Sequence, residues 1–328
     1  MKDDAPTSWP AAAWRATCEY IGLIAVLAGL IAVFSLAAPR FFSLSVFRTI
    51  ANQVPYTIVL AVGMTYVLMI AGIDLSVGSV LALSTAVMGL VLTNVKGGAA
   101  LPLGLAACLA SGLLCGTLNG AVTVAWRLPS FIVTLGMLEI ARGSAYFATS
   151  MRTLYFESKV AALAEVSIGG LSLSFFLALA VVALAQFVLS RTVFGRYVVA
   201  VGTNEEAVRL SGIDPRPVKL AVFALCGLLT GLAAVMHALK SPSANPNIGQ
   251  GYELDAIAAV VIGGTSLMGG RGSVIGSLLG VLIMAVLWFG LACLGVAEEY
   301  KRLVTGFAII AAAVAEYYRR RMARASTC

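Results

Sequence analysis

Residues 52–94 read NQVPYTIVLAVGMTYVLMIAGIDLSVGSVLALSTAVMGLVLTN, and Asp74 is their one charged residue. Two apolar runs, 52–70 and 75–94, flank it, and each is close to the 20 or so residues that a helix needs to cross a bilayer core. Strict apolar/polar alternation in ten-residue segments is absent, which excludes a β-barrel. Helices that satisfy their own backbone groups are then the only spanning solution. The reading extends to the whole chain, whose 328 residues are 60% hydrophobic and 11% charged, with a mean hydropathy of +0.96. Soluble domains run to roughly 25% charged residues. The fold class is therefore all-α, a polytopic helical membrane bundle.

Ten spans are expected, at 20–38, 52–70, 75–94, 101–124, 130–149, 171–190, 218–239, 254–268, 273–294 and 302–318. The eighth is short and glycine-ended, so a re-entrant or broken helix is expected there. Ten crossings put both termini on one side. Arg191, Arg196, Arg209, Arg216 and Lys219, with the four arginines of YYRRRMARASTC, fall on that side, which the positive-inside bias makes cytoplasmic. The chain divides into an N-terminal segment at 1–19, one transmembrane domain at 20–318 and a basic tail at 319–328.

The net charge of +7 sits between and beyond the spans and suits anionic lipid. No basic stripe of the kind that binds nucleic acid is visible. The six cysteines and the single His237 have no metal-ligand spacing, so no cofactor or metal is expected on this chain. No G-x-x-x-x-G-K-[ST] phosphate loop or hydrolase motif occurs, and an enzyme is not expected. Glycines recur every fourth residue at Gly112, Gly116 and Gly120, at Gly227 and Gly231, and at Gly272, Gly276 and Gly280, a pattern that permits close helix packing. GSVLALSTAVMGL (78–90) and GSVIGSLLGVLIM (272–284) show a faint internal likeness.

The polar segment GRYVVAVGTNEEAVRLSGIDPRPVK (195–219) carries the strongest local signals. Asn204 is a helix cap, Glu205 and Glu206 complement the dipole of the first turn, and Gly212, Pro215 and Pro217 stop the helix. A surface helix of about eight residues results, either a solvated loop helix or a docking knob. The spacing Glu206-Ala207-Val208, three residues, Gly212 resembles the E-A-A-x-x-x-G signature of ABC-importer permeases, with Val208 in place of the second alanine. GIDLSVGSVLAL (72–83), LPSFIVTLGMLEIARG (128–143) and GYELDAIAAVVIGGTSLMGGRGSVIGS (251–277) look like monosaccharide permeases of the ribose/xylose/arabinose type. Glu139 departs from that pattern by adding an acid.

The resemblance implies a permease subunit in a bacterial inner membrane that moves a pentose, hexose or related polyol. It implies cytoplasmic ATPase subunits holding ATP and Mg, a periplasmic sugar-binding protein and a second permease subunit, identical or similar. Gly202, Asn204, Glu205, Glu206, Ala207, Val208, Arg209 and Gly212, within and beside a coupling helix at about 203–212, would then meet the ATPase. A sibling importer for nucleosides or branched-chain amino acids, or a standalone carrier, is the alternative.

For the pathway or its gate the candidates are Asp74, Asn119, Thr123, Glu139 and Arg142. Asp74 or Ser76 is expected to cap the helix after it, near the cytoplasmic boundary. Asn119 and Thr123 share a helix face, as polar glue or a pore lining. Glu139 and Arg142 also share a face and could pair. The stretches 150–170 and 240–253 are expected on the outer side.

Overall fold

The computed structural model describes residues 9–307, 310, 311 and 314. The basic tail at 319–328 and the first eight residues lie outside the described residues. The first part of the chain forms α1 (Trp9–Ala37), α2 (Leu44–Gln53), α3 (Pro55–Met69), α4 (Val77–Asn94), α5 (Ala100–Ala125) and α6 (Ser130–Thr149). A small polar cap follows, made of β1 (Leu154–Tyr155), α7 (Glu157–Ala164), β2 (Ser167–Ile168) and β3 (Leu171–Ser172). Then come α8 (Leu173–Arg191), α9 (Val193–Thr203), α10 (Glu205–Leu210), α11 (Arg216–Lys240), β4 (Ser243–Ala244), α12 (Tyr252–Ile262) and α13 (Val274–Cys293). A further helical stretch covers 298–307.

Among the described residues seven helices are long and apolar enough to cross a membrane, and α2 with α3 makes an eighth, bent by 48°. The bend has a local cause: Pro55 opens α3 without an N–H to donate, so α2 ends at Gln53. The expected run at 302–318 starts in the helical stretch 298–307 and continues mostly outside the described residues. These helices make the chain an all-α multi-pass membrane protein.

The centre of the bundle is the crossing of α5 with α11. A Cβ on Gly116 would stand 2.7 Å from Gly227 Cα, and one on Gly231 would stand 3.0 Å from Leu109 Cα. The two backbones touch because nothing larger than hydrogen separates them. Buried Thr230 and Ser84 lie near this seam, Ser84 accepting from Ser111 at 2.9 Å.

Two helices begin inside the bundle. After α3 the chain turns at Ala71 (φ 57°), and Gly72 N donates back to Val67 O at 2.9 Å. Residues 72–76 are non-helical and lead into α4. The second case follows β4, which pairs antiparallel with β1. Ala244 lies against Gly89 of α4, while Gly249 lies against Gly78, eleven residues along the same helix. The intervening segment therefore descends about 16 Å beside α4. Gly78 allows this approach, since a Cβ there would collide with the Gly249 carbonyl and the Glu253 carboxylate. α12, of 11 residues, is about 16 Å long and too short to cross a core of about 30 Å. The short eighth run is thus a half-helix entered through a re-entrant segment, ending at Ile262 and not at 268. In both halves a GSV stretch stands at the opening of a helix after a break, at α4 and at α13. Thr65 Oγ1 and Ser277 Oγ, 2.7 Å apart, join the two halves.

Candidate functional site

At one end of the bundle the segment after α8 folds into two short helices. Thr192 Oγ1 accepts from Gly195 N at 3.3 Å to start α9, a helix absent from the expected spans. Asn204 Oδ1 accepts from Ala207 N at 3.0 Å to start α10, and Gly212 (φ 84°) reverses the chain after it. α10 has six residues, shorter than the expected eight. Val208 is its buried residue, anchoring it to the bundle, while Glu205, Glu206, Ala207, Arg209 and Leu210 are exposed. Leu210, outside the expected contact set, is 80% exposed. Gly202 is buried, and a Cβ there would meet Met69 O and Gly270 N. Its expected place on the docking surface is corrected: it seats α9 against the end of α3 and the loop before α13. Arg209 pairs with Glu206 at 2.7 Å, and Lys219 pairs with Glu205. A cavity of about 530 Å³ beside α10 is lined by Thr123, Arg127, Arg209, Asp214 and Arg216, among others.

Asp74 is 2% exposed. Its Oδ1 accepts from Ser76 N at 2.9 Å and from Ser76 Oγ at 2.6 Å, and Asn119 Nδ2 donates to that same hydroxyl at 3.0 Å. The carboxylate also reaches Cys226. The capping expectation is corrected: Ser76 stands at the N-cap position of α4, but neither its side chain nor that of Asp74 bonds an N–H of the helix, and Asp74 instead holds Ser76 from the preceding turn. Asn119 lies six residues, about 9 Å, from the α10 end of α5, and Cys226 lies ten residues, about 15 Å, from the start of α11. Asp74 therefore stands well inside the bundle and not at the boundary. The reason is the return of the chain after Met69, which carries the start of α4 inward. Asn119 acts as glue between α5 and that start, whereas Thr123, four residues on, lines the cavity beside α10.

Glu139 and Arg142 do not form an ion pair among the described residues. Glu139 is exposed. Arg142 Nη1 donates to Pro246 O at 2.5 Å and to Ile248 O at 2.8 Å. A neighbouring contact completes the clamp, Tyr146 Oη donating to Asn247 Oδ1 at 2.6 Å. The expected pair is corrected because the re-entrant segment offers Arg142 two carbonyls that have no helix or sheet to satisfy them.

At the opposite end, a cavity of about 590 Å³ is bounded by α3, α12, α13 and the stretch 298–307. Tyr56, Gln250, Tyr252, Asp255, Trp288 and Arg302 line it. Tyr56 stacks on Tyr252 with centroids 5.4 Å apart, and the His237 ring packs edge-on to Tyr56 at 5.3 Å. Lys240 Nζ lies 5.4 Å from the Tyr56 ring centre. Trp288 Nε1 donates to Thr305 Oγ1 at 3.0 Å. The cavity combines aromatic faces with a carboxylate, an amide and a guanidinium. Its volume lies within the range usual for small-molecule sites. None of its residues was singled out as a site residue from sequence. They come from four separate segments, and the one available signal was the polar, turn-rich 240–253.

The family model described as branched-chain amino acid transport system / permease component matches residues 46–313. The ribose import permease protein of Escherichia coli K12 is 39% identical over 303 residues, covering 91% of this chain and 93% of its own. The fructose import permease protein of Rhizobium meliloti is 34% identical over 313 residues, covering 92% and 86%. The L-arabinose ABC transporter permease protein of Azospirillum brasilense is 34% identical over 305 residues, covering 93% and 89%. No solved structure matches the chain. With one model spanning more than half of its length and these relatives aligned along most of it, the chain belongs to the branched-chain amino acid transport system / permease component family.

Proposed function

We propose that this chain is the membrane permease subunit of an ATP-binding-cassette importer for a monosaccharide. The observation that carries the reading is α10, a capped helix held by Val208 and presenting an exposed charged and apolar face, in a chain similar to import permeases named for ribose, fructose and arabinose. The chain performs no hydrolysis itself. Separate ATPase subunits dock on α10 and on the cavity beside it; with the descending segment and α12 together counted as one crossing, ten crossings leave both termini with them in the cytoplasm, and the membrane is the bacterial inner membrane. A periplasmic binding protein delivers the sugar at the opposite end, over the α7 cap. A second permease subunit, most simply an identical chain, completes the pathway.

The 590 Å³ cavity receives the sugar. A sugar ring has hydroxyl edges and an apolar C–H face, and the lining supplies partners for both: Asp255, Gln250 and Arg302 for hydroxyls, Tyr56 and Trp288 for the face.

Uptake into proteoliposomes holding the permease with its ATPase and binding protein tests the proposal, with ribose, arabinose, fructose and leucine as substrates. ATP-dependent entry of a sugar and not of leucine is expected. Uptake of leucine, or uptake without ATPase, overturns it. Glu206→Lys and Gly212→Val should leave the permease in the membrane and lower transport by about ten-fold or more through lost coupling. Normal transport by both variants removes α10 from the docking surface.

A further inference from the structure

One helix, α6, makes its long-range hydrogen bonds to the two non-helical segments inside the bundle. Near its start, Ser130 Oγ accepts from Ile73 N at 2.9 Å. Thr134 Oγ1 accepts from Leu75 N at 3.1 Å and lies 3.1 Å from Ile73 O, to which it donates. Two turns further on, Arg142 and Tyr146 hold the carbonyls of Pro246 and Ile248 and the side chain of Asn247. The inward face of α6 is otherwise small or apolar, with Met137, Ala141 and Ala145 buried, so these bonds supply its polar attachment.

The placement of the two ends matters more than the bonds alone. The turn into α6 contributes Arg127 and Leu128 to the cavity beside α10. The segment clamped by Arg142 runs directly into Gln250, Tyr252 and Asp255 of the cavity at the other end. Backbone without a ladder of its own takes its position from whatever satisfies its polar groups, and a helix transmits displacement along its axis with little loss.

We propose that α6 is a strut that ties the docking end to the sugar cavity, with Thr134, Arg142 and Tyr146 as positioning residues. Movement of α10 and its surroundings shifts the turn at 126–129. α6 then carries that shift to the break at 72–76 and to the segment 245–251, reshaping the edge of the cavity. The inference rests on the docking role proposed for α10.

Two measurements test it. In the permease alone, Arg142→Gln combined with Tyr146→Phe should speed hydrogen exchange over 245–251 while α5 and α11 stay protected. Unchanged exchange over 245–251 means that α6 does not hold the segment, and the inference falls whatever the fate of α10. In the reconstituted importer, the same double variant should keep ATPase binding and hydrolysis and lose about ten-fold in sugar moved per ATP hydrolysed. Arg142→Lys, which still donates to a carbonyl, should recover part of that ratio. An unchanged ratio overturns the strut. A parallel fall in ATPase retention, hydrolysis and uptake also overturns it, since that pattern marks a merely structural role. If the unaltered chain retains no ATPase, the docking reading fails instead, and exchange over 245–251 alone decides whether α6 holds the segment.

Discussion

Asp74 Oδ1 receives both donors of a single residue, the N–H and the hydroxyl of Ser76, and that hydroxyl in turn receives Asn119. A buried donor left without a partner costs about 1–3 kcal/mol. Asp74→Ala strands two of them and should destabilise the permease by about that amount per donor. Asp74→Asn keeps an acceptor in place and should cost less. Thermal unfolding in detergent checks the order, and an alanine variant as stable as the parent would refute the account. The sequence marks the carboxylate as a helix cap, whereas in the structure it bonds only Ser76 ahead of the helix and lies deeper than expected. Hydropathy locates an interruption between two runs without showing that the chain doubles back at Ala71. Arg142 gives the same lesson. The i, i+3 rule finds Glu139 because it knows only one helix, whereas the partners used are carbonyls 104 and 106 residues away.

Among the elements, α10 was the most legible, since a side-chain cap, two acids and a glycine at positive φ are local signals. Its cap also makes it testable. Asn204→Ala removes the bond to Ala207 N, a loss of about 1 kcal/mol. Exchange of the amides over 205–211 should accelerate by about five-fold, and ATPase retention should weaken in step. Protection equal to the parent's would mean that Val208 packing alone holds the helix. α12 was legible by its shortness, which no crossing helix shares. α9 was not, because its run Val193–Thr203 has only 11 residues, carries Arg196 and leads into the polar segment, so it reads as loop between spans. The cavity at the opposite end escaped sequence reading for a different reason: no one element contains it.

For the whole molecule, the proposed orientation makes two exposed positions report from opposite sides. Ile168, at the end of β2, is 63% exposed, and Leu210 of α10 is 80% exposed. Ile168→Cys should react with a membrane-impermeant maleimide on intact spheroplasts, and Leu210→Cys only after the membrane is opened. The reverse pattern would invert the topology and move the α7 cap to the cytoplasm. One architectural feature also decides how a comprehensive mutational survey of this protein will read. At Gly112, Gly116, Gly227 and Gly231 the α5 and α11 backbones leave no room for a methyl group. Every one of the nineteen replacements therefore adds atoms where none fit. In a growth-based scan these four positions should score as intolerant as any residue that handles substrate, although none of them lines the 590 Å³ cavity proposed to receive the sugar. A functional map drawn from fitness alone would place the heart of the transporter at a seam that only holds it together.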